Sequence, residues 1–201
     1  MLTFDDAKHE YRWNGVLVPG VTSVISPLQD FSRVPADILS AAQERGTYVH
    51  RMTELYDLGE LDEAAMLASP AHAIYHGYLR AWKAFLAEYD AVWDEIEKMG
   101  YSRRYGFAGT WDRAGKLMEK LPGDWTIDIK TAKLDSETWG IQTAAYRQIR
   151  SEGGDIRAAL SRRATVQLDV SGDFTFTPWD ATDDMDCFLA LLTIHQWKAK
   201  R

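Results

Sequence analysis

The spacing of apolar and polar positions changes along this chain, and each change marks an element. Over 10–18, E-Y-R-W-N-G-V-L-V, two short β-prone runs flank Asn14-Gly15, the strongest short-range hairpin signal. From Pro35, which suits a helix start, to about residue 57 the pattern is helical, with Val49, Met52 and Tyr56 recurring on one face. Ser69-Pro70 reads as an N-cap with proline at the first helical position, opening a helix that reaches about residue 89. Ile74, Tyr78, Leu79, Trp82, Phe85 and Leu86 would line its buried face. Near residue 92 the period shortens. Residues 92–102, 105–117 and 124–131 read as strands, with Leu121-Pro122-Gly123-Asp124 turning into the third. A helix over 136–151 is stopped by Gly153-Gly154. Residues 163–170 and 173–179 then read as strands joined by Ser171-Gly172-Asp173, and a final helix over 182–199 takes Asp180 or Thr182 as its cap.

This order predicts an α/β fold: a central mixed β-sheet flanked by helices, with an N-terminal β-hairpin and a helical insert. One domain accommodates all 201 residues, as a hairpin region 1–34, a helical region 35–90 and a sheet core with the C-terminal helix over 91–201. A chain of this length buries roughly 70% of its unfolded surface, so its core needs no disulfide or structural metal. The single cysteine, Cys187, excludes an internal disulfide and a four-cysteine metal site, and reads as a small buried apolar residue. The opening M-L-T-F-D-D-A-K lacks the basic region and apolar run of a signal peptide, and no stretch approaches the ~20 apolar residues of a membrane span. A soluble protein in a reducing cytoplasm, without a membrane partner, is the expectation.

Chemistry concentrates in the three middle strands and the helix after them. In W-T-I-D-I-K-T, alternation puts Thr126, Asp128 and Lys130 on one face and Ile127 and Ile129 on the other. An Asp can hold a divalent cation while a nearby Lys orients water or neutralises phosphate. Alone, D-x-K is also the exposed ion pair of many edge strands. Asp112, in G-T-W-D one hairpin earlier, could sit beside Asp128. Two carboxylates at one point repel unless a cation joins them. Gly109 would let backbone or substrate approach closely. Gln142 and Tyr146 share a helical face extended by Trp139 and Ile149, and a buried Gln there could hold Lys130 or a phosphate. His50, like His9, His72, His76 and His195, reads singly as a satisfied histidine.

The net charge of −7 runs against a nucleic-acid binder, which usually carries a basic footprint. That guide weakens where carboxylates are metal ligands. A stripe drawn from Arg103, Arg104, Arg147, Arg150, Arg162 and Arg163 could meet phosphates, although each alone reads as solvated surface.

Taken in order, R-G-T-Y-V-H, G-x-x-D, D-x-K and Q-x-x-x-Y resemble the PD-(D/E)XK nuclease superfamily, and within it the RecB-type exonuclease branch with its small phage-encoded members. The opening H-E-Y-R-W-N-G and V-P-G-V-T-S-V is similar to phage proteins of that type, so the resemblance covers about 9–150. It implies Asp112, Asp128 and the Ile129 carbonyl as metal ligands with His50 added, Lys130 as the catalytic lysine, and a carboxylate on the first strand. Glu97 is the choice for that carboxylate, with Glu95 on the same face as the alternative. Gln142 and Tyr146 would steady the site and touch DNA, and of the arginines above, Arg104 and Arg147 are the choices for further DNA contacts. Mg²⁺ or Mn²⁺ would serve. The cysteines of an iron–sulfur cluster and the G-x-x-x-x-G-K-[ST] of a nucleotide-driven motor are absent from the sequence, so neither group is expected.

The implied activity is metal-dependent hydrolysis of DNA phosphodiesters, as an exonuclease on linear DNA in a bacterium or phage-infected cell. A single-strand annealing or recombination protein is the partner the resemblance brings, and no residue speaks for it. The rivals are a structure-specific or duplex endonuclease of the same fold, and a non-catalytic DNA- or protein-binding module. Keeping Asp112, Asp128 and Lys130 together speaks against the module.

Overall fold

A computed structural model describes residues 1–132 and 136–201. Strands β1 (Leu2–Asp5), β2 (Glu10–Trp13) and β3 (Val16–Val18) form a three-stranded antiparallel sheet. The β2–β3 turn is the expected one: Asn14 and Gly15 both take positive φ, +50° and +80°, as a type I′ turn requires. β1 was not legible in the sequence. It pairs along β2 from Leu2↔Trp13 to Asp5↔Glu10.

A short α1 (Val21–Ile25) leads into α2 (Ala36–Asp57), which begins directly after Pro35. The next region departs from expectation. A separate helix α3 (Glu63–Ala68) intervenes, capped by the Asp62 carboxylate on the Ala65 N–H. Residues 70–75 form a 3₁₀ turn, and α4 (His76–Tyr89) starts only afterwards. Ser69 makes no side-chain cap bond, and Ile74, expected in the core, is 62% exposed because the 3₁₀ turn breaks the 3.6-residue phase.

The main sheet contains β4 (Ala91–Ser102), β5 (Phe107–Leu117), β6 (Gly123–Lys130), β7 (Arg162–Leu168) and β8 (Phe174–Pro178), in that spatial order. Only β6 and β7 run parallel, so the sheet is mixed. Their crossover contains α5 (Thr138–Ser151) and an unanticipated α6 (Ile156–Leu160), capped by Asp155 on the Arg157 N–H. The final helix, α7, spans Asp184–Ala199. Neither Asp180 nor Thr182 caps it, since Asp183 occupies the cap position without a side-chain bond.

Helices cover both faces of the sheet. On one face Val49 and Met52 of α2 and Leu79, Trp82 and Phe85 of α4 meet Trp125, Ile127 and Ile129 of β6 and Val166 and Leu168 of β7. On the other, α1, α5 and α7 bring Val24, Ile25, Ala145, Ile149, Phe188 and Leu192 onto Phe107, Trp111 and Ala114 of β5. β6 thus divides as its alternation requires, with its isoleucines in the first core and Thr126 and Asp128 toward α5. Cys187 corrects the sequence reading: it is exposed, because Phe188 and Leu192 take the buried stripe of α7. The N-terminal sheet is fastened to β5 by the Gly20↔Ala108 bridge and the Ala108 N–H, which donates to the Pro19 carbonyl at 2.8 Å. Among the described residues no helix is long and apolar enough to cross a membrane.

Candidate metal centre

The site lies where β5 and β6 part. Their ladder ends at Arg113↔Ile127, so Asp112 and Asp128, which would pair next, leave it together. The Ile129 N–H donates instead to Asp112 Oδ2. Asp112 and Asp128 are 5% and 2% exposed, so neither is a solvated surface acid.

His50 comes from α2 and Glu97 from β4. His50 Nδ1 stands 3.3 Å from Asp112 Oδ1 and 3.6 Å from Glu97 Oε1. One ligand atom from each of His50, Glu97 and Asp112 lies within 4.8 Å of the others. Glu97 takes φ +44°, a left-handed conformation that is unfavourable for a residue with a Cβ and held here by its surroundings. Glu95, the alternative, has other partners: Lys98, Arg150 and the Trp111 indole N–H.

The second half of the site is a chain toward α5. Lys130 Nζ lies 2.5 Å from Asp128 Oδ2 and donates to Gln142 Oε1 at 2.8 Å. Gln142 Nε2 donates to the Tyr146 hydroxyl at 2.8 Å and, at 3.4 Å, to Asp128 Oδ1. The buried Gln142 thus holds Lys130. Asp128 Oδ2 has only the Lys130 ion pair and no well-formed hydrogen bond among the described residues, which leaves it a lone pair for a cation.

Charge crowding governs the titration of these groups. Burial raises Asp128 to about 6, with Asp112 adding to the rise and Lys130 opposing it. Burial and then Asp112 raise Glu97, against His50 and Arg113. Asp112 is lowered: burial would raise it, but His50, the Ile129 N–H and Lys130 prevail. His50 goes well above its ordinary value, because Asp112 and Glu97 outweigh the burial that would pull it down. An imidazole nitrogen with carboxylate oxygens is a competent donor set for a divalent cation, whose binding would require His50 in its neutral form.

Arg113 was not anticipated. Fully buried, it donates to Asp57 Oδ2 at 2.6 Å, Glu97 Oε1 at 3.0 Å, the Asp112 carbonyl at 2.7 Å and Thr53 Oγ1 at 3.2 Å, with its guanidinium 5.4 Å from the Trp82 ring. It ties α2 to both strands of the site. Nothing local in W-D-R marks it, because Asp57 is 56 residues away. Tyr11 of β2 was also missed. Its hydroxyl lies 2.8 Å from Thr110 Oγ1, beside a cavity of about 110 Å³ that it shares with Glu97, Asp112 and Tyr146.

Two sequence readings need correction. The space above Gly109 is filled by side chains, not by backbone or substrate: a Cβ there would lie 2.8 Å from Tyr146 Cε1 and 2.9 Å from Val21 Cγ2. The six arginines do not form one stripe. Arg163 is buried on Asp184 and the Gly140 and Ala181 carbonyls, Arg150 binds Glu95 and Thr126, and Arg147 donates to the Ser161 carbonyl. Arg162 stacks on Trp125. Arg163 alone is buried and must be paired, while half-buried Arg147, Arg150 and Arg162 are held by contacts within the fold. Arg104 stays exposed, with its guanidinium 5.2 Å from the Tyr105 ring and its N–H on Glu152, and Arg103 is exposed beside Trp13.

No family model matches the chain, and no curated protein matches it. Among solved structures, a "putative exonuclease" from Eubacterium rectale is similar over 90% of this chain and 79% of that one, with a TM-score of 0.53 and 11% identity. The protein SSO0001 is similar over 76% of this chain and 69% of its own, with a TM-score of 0.36 and 15% identity, too remote to carry weight. The first likeness shows a shared fold, a mixed α/β domain with this arrangement of sheet and helices.

Proposed function

We propose that this chain is a divalent-metal-dependent nuclease that hydrolyses phosphodiester bonds in DNA, acting as an exonuclease on linear strands. The observation that carries the reading is the meeting of His50, Glu97 and Asp112 within 4.8 Å, beside a buried Asp128–Lys130–Gln142 chain. The fold shared with the E. rectale protein supports it.

His50, Glu97, Asp112 and Asp128, with the Ile129 carbonyl, would hold Mg²⁺ or Mn²⁺, and the imidazole nitrogen favours Mn²⁺. The bound ion supplies charge stabilisation at the scissile phosphate and a water acidic enough to attack it. Lys130, fixed between Asp128 and Gln142, would orient that water as an ammonium, or take its proton at Nζ only after releasing one of its own to solvent. Gln142 keeps the ammonium aimed at the site, and Tyr146 in turn holds Gln142. Arg113 fixes Glu97 from behind without reaching the substrate.

The test is incubation with 5′- and 3′-end-labelled linear DNA and with closed circular DNA, each with Mn²⁺ or Mg²⁺ and with chelator. Metal-dependent loss of linear ends with circles intact is the expected result. Cleaved circles would move the activity to an endonuclease. No cleavage of any substrate by a folded, metal-binding protein would reject the reading.

A further inference from the structure

A cavity of about 510 Å³ opens along β4 on the side of α5. Trp13 of β2 and Tyr101 of β4 stack across its wall, with ring centroids 4.6 Å apart and planes inclined by 12°. The Arg103 guanidinium stands 5.4 Å from the Trp13 ring. Both rings are only half-buried and Arg103 is exposed. The other cations of the wall, Lys98 and Arg150, are spent on Glu95 at 2.5 and 2.9 Å. Arg103 makes no ion pair among the described residues. The stacked pair and the exposed guanidinium over it together present an aromatic and a positive surface to a ligand.

The chemistry selects the ligand. Nucleobases stack on aromatic faces irrespective of sequence, and a guanidinium pairs with the phosphate between them. An unpaired strand offers both groups, whereas a duplex hides its base faces in its own stack. The volume lies within the range of single small-ligand sites, roughly 300–1,000 Å³, enough for a base with its sugar and not for a duplex. Position fits as well. Tyr101 is four residues beyond Glu97 on β4, about 13 Å along the strand.

We propose that this cavity binds the unpaired bases of a single-stranded DNA end, stacked at Trp13 and Tyr101 with a phosphate on Arg103. The strand would be held there within a few nucleotides of the metal cluster. This rests on the nuclease reading and deepens it by naming the form of DNA engaged.

The test is fluorescence anisotropy of the full chain with labelled oligothymidylate and with a duplex of equal length, in chelator so that nothing is cut. Trp13→Ala should weaken single-strand binding about tenfold. Trp13→Phe should keep most of it. Arg103→Ala should lose several-fold and lower the salt dependence by about one phosphate contact. Duplex binding should move less than about twofold in each variant, since the stacking faces are not offered. Melting curves establish that each variant is folded, and Arg103, being exposed, keeps the test decisive if Trp13→Ala is not. Wild-type single-strand affinity in folded Arg103→Ala and Trp13→Ala overturns the proposal, as do equal losses on duplex. If wild type still degrades labelled DNA with Mn²⁺, that failure belongs to the cavity alone. If wild type neither binds nor cuts DNA, the nuclease reading falls with it.

Discussion

Replacing Arg113 by methionine should unsettle the protein more than any change at a solvated arginine. The guanidinium is fully buried, and its loss strands Asp57, whose side chain is 2% exposed, without its cation. It also removes the donor that holds Glu97. Breaking one partner of a buried ion pair costs about 3–5 kcal/mol. In a chain of this size about 2–4 °C of melting temperature goes with each kcal/mol, so a fall of roughly 6–20 °C is expected. Asp57 is already raised by burial despite Arg113 beside it, and without that charge it must rise further. A carboxyl whose folded value lies above its unfolded one weakens the fold at high pH, and the penalty fades as pH falls through the raised value and is gone below the unfolded one. The gap between Arg113→Met and wild type should therefore narrow as pH falls through the raised Asp57 value. Asp57→Asn in the same chain should restore part of the loss, since the amide oxygen can still accept the Trp82 indole N–H bond now made to Asp57 Oδ1 at 3.0 Å. Calorimetry of the three proteins checks this. A methionine variant melting within about 3 °C of wild type, or a double variant no more stable than the single, would refute the account of Arg113 as a buried tie.

Lys130→Ala should abolish most cleavage while Mn²⁺ binding, read by calorimetry, survives; equal cleavage by variant and wild type rejects the lysine's role. Asp128→Ala should lose both, and unchanged Mn²⁺ affinity would remove it from the ligand set. Gly109→Ala forces a methyl against Tyr146 and Val21 at 2.8 and 2.9 Å, so it should cost about 1–3 kcal/mol in urea unfolding, and a neutral result would mean that the rings yield freely. Burial raises Glu152, but bonds from Ser102, Gln148 and the Arg104 N–H win and hold it below the ordinary carboxylate value. Its contribution is thus present above the unfolded value and lost as pH falls through the lowered one. The stability gap between wild type and Glu152→Gln should hold above the ordinary carboxylate value and close as pH falls below it, and a constant gap counts against it.

The sheet was legible because its strands carry their own evidence. β6 alternates so strictly that its two faces, and the emergence of Asp128 beside Lys130, follow from the period alone. Asn14-Gly15 announced its turn for the same local reason. What stayed hidden depends on distance. Ser69-Pro70 looks like a helix start, yet tertiary contacts place a 3₁₀ turn there and expose Ile74. Cys187 faces water because Phe188 claims the inner stripe, a competition no single residue reveals. The resemblance named His50, Glu97 and Asp112 separately, and only coordinates bring their ligand atoms together. Arg113 and Tyr11 escaped because their partners lie far along the chain, and the arginines failed as a stripe because four of the six are held by contacts within the fold, only Arg163 being buried.

The kink at Glu97 has a second consequence. β4 is the rim of the main sheet, and its 12 residues would otherwise present a long straight row of free backbone groups to a neighbouring molecule. The register shift between Trp93 and Glu95 and the left-handed Glu97 interrupt that row at two points. The distortion that aims a carboxylate at the cluster thereby also discourages intermolecular strand pairing, so a change that straightened β4 would invite aggregation as it disarmed the site.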